Sequence, residues 1–174
     1  NYALKDRLVT FGIVPNSPEI GYGYIKAETP FESREITGKN ISEFTEKPDL
    51  ITAKKFIKDK RFTWNSGIFL FKAKTIIEEI KRFSPETFET CNEAIEKSEL
   101  DLDFQRLNEE SFESCPNISI DIAVMENTNK GIVLPLDAQW SDIGSWKSVW
   151  ENSNKDNNGN VANGNIIIHN SEDC

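Results

Sequence analysis

The sequence has few of the residues from which many catalytic and metal sites are built. Its 174 residues contain one histidine, His169, and three widely spaced cysteines, Cys91, Cys115 and Cys174. A single histidine excludes a histidine cluster around a metal and argues against a serine–histidine–aspartate triad. An odd number of cysteines without short spacings predicts reduced, unreactive thiols in a cytoplasmic protein.

Positive charge and long apolar runs are also scarce. The chain has 20 lysines and arginines against 29 aspartates and glutamates, a formal net charge of −9. Nucleic-acid binding needs a basic face, so we expect none, and an anionic ligand would need local cations or a metal. No segment approaches the roughly 20 apolar residues of a membrane span. We therefore expect a cytoplasmic protein that does not bind a membrane.

Short apolar runs alternate with amphipathic helical patterns along the chain. Strands are predicted at 8–14, 21–26, 41–46, 64–71 and 131–135, and helices at 50–57, 75–83, 85–95, 122–125 and 146–150. Asp49 and Ser84 are suited to cap two of these helices, and Pro85 to begin one. Residues 96–113 favour a less regular helix. The alternation predicts an α/β fold with a mixed sheet flanked by helices on both faces.

The pattern changes near Asn152. Turn-forming residues at 156–160 are followed by Val161 and by the run 166–168, which favour new strands. We therefore expect residues 1–152 to belong to one domain and residues 153–174 to begin a β-rich linker domain. The first residues show neither a signal peptide nor an initiator methionine, which predicts a piece of a longer protein.

A carboxylate and an ammonium group stand side by side where a predicted strand ends. Glu46 and Lys47 precede Pro48, and strand ends in open α/β sheets border ligand crevices. A phosphorylated polyol suits this pair, because Glu46 can accept hydrogen bonds from hydroxyls and Lys47 can neutralise a phosphate. Taken alone, the dipeptide is more typical of a surface ion pair.

Two further segments are suited to a sugar ligand. Asn65 offers both a donor and an acceptor to a hydroxyl, and Gly67 permits close backbone approach, although a plain turn fits this segment equally well. Tyr22 and Gly23 let the backbone pass close to a ligand ring beside an aromatic side chain. A β-bulge is slightly more typical of that pattern.

Two aspartates precede predicted helices. Ser145 can cap the second of these helices, which leaves Asp142 free to hold a hard divalent cation through oxygen. Support of the cap is the plainer interpretation of Asp142. Asp121 begins the other helix, where a structural role comes first and ligand contact second.

The order and spacing of these segments is more specific than any one of them. The series comprises residues 8–13 (LVTFGI), 21–25 (GYGYI), 44–48 (FTEKP), 64–69 (WNSGIF), 119–126 (SIDIAVME) and 140–146 (WSDIGSW). Together it resembles the mannose-1-phosphate guanylyltransferase family, in the bacterial form often fused to a phosphomannose isomerase domain. The resemblance runs from about Leu8 to the end and implies a glycosyltransferase-A-like, Rossmann-related fold.

The resemblance also implies a reaction and residue roles. GTP and mannose 1-phosphate would give GDP-mannose and pyrophosphate, by direct attack of the sugar phosphate on the α-phosphorus, with Mg²⁺ as cofactor. Glu46 would bind mannose hydroxyls, Lys47 the sugar phosphate, and Asp142 would be one of two Mg²⁺ aspartates. The other pocket residues implied are Tyr22, Gly23, Asn65 and Asp121.

The glycine-rich basic loop with which this family holds the triphosphate does not appear in the sequence. The guanine pocket and the first metal aspartate are missing with it. We therefore expect this chain to be the sugar-1-phosphate side of the site, to depend on the missing half for GTP, and not to catalyse turnover alone. A truncated sheet is expected to expose apolar edges, which predicts homo-oligomers.

Two other functions stay open. The first is a nucleotidyltransferase for another sugar 1-phosphate, because the residues that choose the base lie in the missing half. The second is a catalytically silent regulatory module of the same fold. The joint presence of Glu46, Lys47 and Asp142 argues against the silent module, which has no physical need for that trio.

Overall fold

The chain forms two units, Asn1–Ala138 and Gln139–Cys174, in a computed structural model that describes residues 1–32, 36–138 and 140–174. The expected division near Asn152 concerns the domains of a longer protein and stays a prediction. The strands, in chain order, are β1 (Leu8–Ile13), β2 (Tyr24–Ala27), β3 (Lys39–Thr45), β4 (Phe62–Leu70), β5 (Glu99–Asp101), β6 (Phe104–Arg106) and β7 (Gly131–Leu136).

Within the described residues, five strands of the first unit form one mixed sheet. Their order is β1–β4–β2–β3–β7, and β7 pairs again with β1, so the sheet closes on itself. β1 and β7 run parallel, whereas the other neighbours are antiparallel. The expected mixed sheet is confirmed. Among the residues that the structure describes, this sheet does not have the expected open edges, because Lys39 and Asn40 of β3 pair with β7.

The helices lie mostly where the apolar periodicity predicts them. They are α1 (Leu50–Phe56), α2 (Ala73–Phe83), α3 (Pro85–Glu96), α4 (Glu109–Glu113) and α5 (Trp146–Glu151), with a 3₁₀ turn at Ala3–Lys5 and a π turn at Asp121–Met125. Asp49 caps α1, accepting from the Thr52 N–H at 2.8 Å. Pro85 begins α3, but the Ser84 hydroxyl bonds the Thr87 hydroxyl instead of capping. None of the described helices combines the length and the apolar composition that a membrane-spanning helix requires.

Two predictions of secondary structure are wrong. Part of the segment 96–113 forms the hairpin β5–β6, which turns at Leu102 with a left-handed φ of 54°. Residues 153–174, all of them described, contain no strand. There the backbone bonds to side chains: Asp156 accepts from two N–H groups of its own turn, and Asn160 donates to the Ser171 carbonyl at 2.8 Å. Such local bonds compete with strand pairing.

Helical elements cover both faces of the sheet. On one face, Leu8, Ile25 and Val133 are fully buried against α2 and the π turn. Successive strand residues point to opposite faces, so Tyr24 lies on the other face, where the last residue of α1, Phe56, stacks on Phe62 at 4.0 Å. This arrangement confirms the expected flanking helices.

Candidate functional site

β4 departs from a regular strand at the WNSG segment. Thr10 of β1 pairs with Phe69 of β4, and Gly12 pairs with Asn65. Between these pairs, residues 66–68 of β4 lie opposite a single residue of β1. Gly67, inside this bulge, has a φ of +69°, a left-handed conformation that glycine adopts without strain. Its N–H donates to Asn65 Oδ1 at 3.2 Å. The bulge therefore fixes Asn65 at the point where the ladder is interrupted.

The Asn65 side chain is held from three directions. Its Oδ1 also accepts from the Thr10 hydroxyl at 3.2 Å, and its Nδ2 donates to Asp121 Oδ1 at 3.0 Å. The orientation of the amide is determined, because the Gly67 N–H can only donate and an ionised carboxylate can only accept. The backbone N–H of Asn65 donates to the Gly23 carbonyl at 2.8 Å. Asn65 thus joins three segments that lie far apart in the sequence.

Asp121 stands at the head of the π turn. The turn closes through a bond from the Glu126 N–H to the Asp121 carbonyl at 2.9 Å, five residues back. Three of the four residues between, Ala123 to Met125, are buried in the core, so the turn is anchored while its first residue faces Asn65. The short helix predicted here is present as a wider turn, a form that occurs frequently at functional sites.

Glu46 lies directly beside Gly23. The antiparallel pairing of Tyr24 with Thr45 brings the start of β2 next to the end of β3, and Gly23 and Glu46 flank that pair. A Cβ atom on Gly23 would lie 2.6 Å from Glu46 Oε2 and 3.4 Å from the Asn65 Cβ. The structure therefore brings together the predicted residues Gly23, Glu46, Asn65 and Asp121.

Lys47 follows in an uncommon conformation. Its Nζ lies 3.3 Å from Glu46 Oε1, and its φ is 44°. A left-handed non-glycine residue costs roughly 1–2 kcal/mol, whereas an exposed ion pair contributes about 0–1 kcal/mol. The ion pair expected from the dipeptide is present, but it does not offset the backbone strain. Leu102, in the exposed β5–β6 hairpin, has the same left-handed backbone, so this conformation marks a sharp change of chain direction after β3, and the binding role of Lys47 stays a prediction.

The site holds more negative charge than its neighbours neutralise. Burial raises the pKa of Asp121, and the charge of Glu46 raises it further, against the opposing effects of Asn65 and Lys47. Burial and the charges of Glu46 and Asp121 also raise the pKa of Glu126. These acceptor-only groups favour a ligand rich in hydrogen-bond donors, such as a polyol.

Tyr22 occupies a different position from its neighbour Gly23. Its half-buried ring meets the ring of Trp64 edge-on, with 5.3 Å between centroids. Trp64 and Asn65 are successive strand residues, so their side chains point to opposite faces. The Tyr22 ring therefore packs on the face away from the Asn65 amide, and its role in ligand binding stays a prediction.

Asp142 belongs to the second unit. Ser145 caps α5 as predicted, accepting from the Ser148 N–H at 3.1 Å. The Asp142 carboxylate is exposed and has no hydrogen-bond or ion-pair partner among the described residues. Mg²⁺ is usually held by one or two carboxylates with substrate phosphates and water, which an uncommitted carboxylate fits. Its convergence with Glu46 and Lys47 stays a prediction.

Outside this cluster, the described residues include a cavity of about 530 Å³ whose wall holds the cationic side chains of Lys5, Arg7 and Lys39. The described residues contain no group of three or more histidines, cysteines, aspartates or glutamates that could hold a metal. A cavity of about 550 Å³ in the first unit has Phe31, Ile57 and Phe62 in its wall, and no predicted site residue lines it.

Known proteins match both the sequence and the fold. Residues 1–159 match the nucleotidyl transferase family. The chain belongs to this family. It is 49% identical to a mannose-1-phosphate guanylyltransferase from Salmonella montevideo, over 99% of this chain and 37% of that protein. It is 42% identical to the alginate biosynthesis protein AlgA of Pseudomonas aeruginosa, over 100% of this chain and 36% of that protein.

A solved structure agrees with this assignment. The mannose-6-phosphate isomerase of Helicobacter pylori superposes with a TM-score of 0.70 and 34% identity, over 81% of this chain and 54% of that one. The nucleotidyltransferase fold and the family resemblance inferred from the sequence are thereby confirmed. The chain spans little more than a third of the length of the Salmonella guanylyltransferase and of AlgA.

Two residues of the site escaped the sequence-based prediction. Thr10 is a polar residue inside an apolar strand, and this could have marked it for attention. Glu126 follows the predicted helix and carries no local signal, because its relation to Glu46 depends on tertiary packing.

Proposed function

We propose that this chain is the sugar-1-phosphate side of a mannose-1-phosphate guanylyltransferase, which converts GTP and mannose 1-phosphate to GDP-mannose and pyrophosphate. The observation that carries the proposal is the placement of the Glu46 carboxylate against Gly23, next to the Asn65 amide that Asp121 holds. The relatives named for this activity support it.

Different side chains bind the sugar and the phosphate of mannose 1-phosphate. Glu46 and Asp121 accept hydrogen bonds from sugar hydroxyls, Asn65 donates one, and the Lys47 ammonium faces the phosphate. An anionic phosphate oxygen of the sugar forms the new bond to the α-phosphorus of GTP, and the bond to pyrophosphate breaks. Because this nucleophile is already ionised, no base is needed. Positioning and electrostatic stabilisation supply most of the rate.

Asp142 is the residue of this chain that would hold Mg²⁺. When bound, the metal neutralises charge on the transferred phosphate groups. Asp142 is suited to this role because its exposed carboxylate is uncommitted among the described residues. We expect Asp142→Asn in the full-length parent to lower GDP-mannose formation by at least 100-fold. Unchanged activity would favour a silent module.

GTP is held mainly by residues that this chain does not contain. The 174 residues have no glycine-rich basic loop, so we propose that the chain binds mannose 1-phosphate without turning it over. Use of the product in polysaccharide biosynthesis and a cytoplasmic location belong to the same proposal, whereas self-association stays a prediction, because the sheet edges from which it was expected are paired among the described residues. The relative named for alginate biosynthesis supports the first of these.

Calorimetry and a product assay on the 174-residue chain test the proposal together. We expect mannose 1-phosphate to bind and no GDP-mannose to form after addition of GTP and Mg²⁺. Lys47→Ala should weaken binding, whereas Lys54→Ala, which removes a lysine from α1, should not. Product formation would contradict the inactivity of the chain, and equal affinity for glucose 1-phosphate would favour another sugar substrate.

A further inference from the structure

Thr10 is a fully buried hydroxyl residue in β1. A buried hydroxyl without a partner is costly, and this one donates to Asn65 Oδ1 at 3.2 Å. The strand residues around it in sequence, Leu8 to Ile13, are otherwise apolar or glycine. The hydroxyl therefore has a defined partner, and that partner is a residue of the proposed sugar site.

The bonds around Asn65 leave it a single free hydrogen-bonding group. A carboxamide has two acceptor positions on its oxygen and two donor protons on its nitrogen. The Thr10 hydroxyl and the Gly67 N–H occupy the two acceptor positions, and Asp121 takes one proton. One Nδ2 proton is left without a partner among the described residues. Of the donor and the acceptor that the sequence predicts Asn65 to offer a ligand, the donor is the one that has no partner in this arrangement.

We propose that Thr10 is a positioning residue, which acts through Asn65 to make the site recognise the oxygen of one sugar hydroxyl. This inference rests on the proposed function. The hydroxyl accepts a bond from the free Nδ2 proton and keeps its own proton for a nearby carboxylate, Asp121 or Glu46. An ether oxygen could accept but not donate, so the arrangement selects a free hydroxyl.

The first test compares two substitutions at this position. Thr10→Val keeps the shape of the side chain and removes the donor, so the Asn65 amide loses one of its anchors. We expect the Kd of the 174-residue chain for mannose 1-phosphate, measured by calorimetry, to rise about five- to tenfold. Thr10→Ser keeps the hydroxyl and should stay within about twofold of the wild type. Equal effects of the two substitutions would overturn the proposal.

The second test asks whether Thr10 acts through Asn65. In an Asn65→Ala background, Thr10→Val should cause no further rise in Kd, whereas a purely structural role would raise it in both backgrounds. Mannose 1-phosphates that lack one hydroxyl each supply a further readout. The analogue whose affinity is insensitive to Asn65→Ala should be the same one that is insensitive to Thr10→Val. The inference would be contradicted if the analogue that is insensitive to Asn65→Ala differed from the one that is insensitive to Thr10→Val.

A third measurement separates this inference from the proposed function. NMR relaxation of the Asn65 side-chain amide in the ligand-free chain should show an ordered group in the wild type and in Thr10→Ser, and a mobile one in Thr10→Val. An unchanged amide in Thr10→Val overturns the positioning role, whatever the ligand. An ordered wild-type amide that becomes mobile in Thr10→Val, in a chain that does not bind mannose 1-phosphate, overturns only the proposed substrate.

Discussion

Two carboxylates near the same π turn are in opposite electrostatic situations. Glu79, on α2, is 2% exposed; it accepts from the Thr128 hydroxyl at 2.5 Å and pairs with Lys130 at 2.9 Å. Burial raises the pKa of Glu79, but the bonds from Thr128 and Lys130 outweigh it, and the net pKa is lowered. Asp121 has a raised pKa, because it is half-buried next to another acid, Glu46.

This difference distinguishes a structural acid from one in a ligand site. The charge of Glu79 is met within the protein, so ionisation stabilises the fold. The charge of Asp121 is only partly neutralised by its neighbours, so ionisation of Asp121 opposes folding. The ionised carboxylate can therefore still accept hydrogen bonds from a ligand. Binding sites commonly lower stability in this way. Each prediction below tests one side of this comparison.

The largest effect is expected at Glu79. Glu79→Gln keeps the shape but removes the charge that bonds Thr128 and Lys130, and should lower the free energy of unfolding by about 2 kcal/mol. Urea denaturation measures this. The control is Glu78→Gln on the same helix, which removes an exposed pair with Lys74 and should change the value by less than about 0.5 kcal/mol. Equal losses would show that Glu79 has no special role.

A smaller effect, on binding, is expected at Gly23. In Gly23→Ala the new methyl would meet Glu46 Oε2 at 2.6 Å, so the flexible Glu46 side chain must move away from Asn65. We expect the Kd for mannose 1-phosphate to rise about tenfold, or about 1.4 kcal/mol. Gly21→Ala is the matched control, because nothing lies within 4 Å of its new methyl. A loss of affinity in Gly21→Ala as large as in Gly23→Ala would argue against this geometry.

The smallest effect is a gain in stability at Asp121. Asp121→Asn removes repulsion with Glu46 and can still accept from Asn65, so it should raise the free energy of unfolding at neutral pH by about 1 kcal/mol. Mannose 1-phosphate binding should weaken at the same time. Asp103→Asn, at an exposed position in the hairpin turn, is the control for loss of one negative charge. A loss of stability in Asp121→Asn would contradict the assignment.

The effects of Asp121 and Glu79 on the free energy of unfolding should change with pH in opposite directions. Folding raises the pKa of Asp121, so ionisation of Asp121 lowers the free energy of unfolding. This loss is absent at acidic pH and is complete once the pH has risen through the folded pKa. The pKa of Glu79 is lowered, so its contribution is present at neutral pH and is lost as pH falls through the folded pKa. In acid, the free energies of unfolding of both variants should therefore approach the wild-type value, that of Asp121→Asn from above and that of Glu79→Gln from below.

The parts of the fold with local signals could be predicted from the sequence. Apolar periodicity located the strands of the sheet, and the Asp49 cap and Pro85 marked the starts of α1 and α3. The hairpin within 96–113 and the irregular tail were missed, because their backbone bonds depend on turns and side chains that apolar patterns do not encode. The proximity of Glu46 to Asp121 depends on strand pairing, which lies beyond the local sequence.

The interrupted ladder between β1 and β4 limits how the length of this segment can change. A deletion of two residues from 66–68 would restore one-to-one pairing with β1 and give a more regular sheet. The same deletion would remove the backbone N–H that holds the Asn65 amide, and with it the geometry on which sugar recognition depends. Natural variants of this chain should therefore tolerate exchange of side chains around the irregularity far better than a change in its residue number.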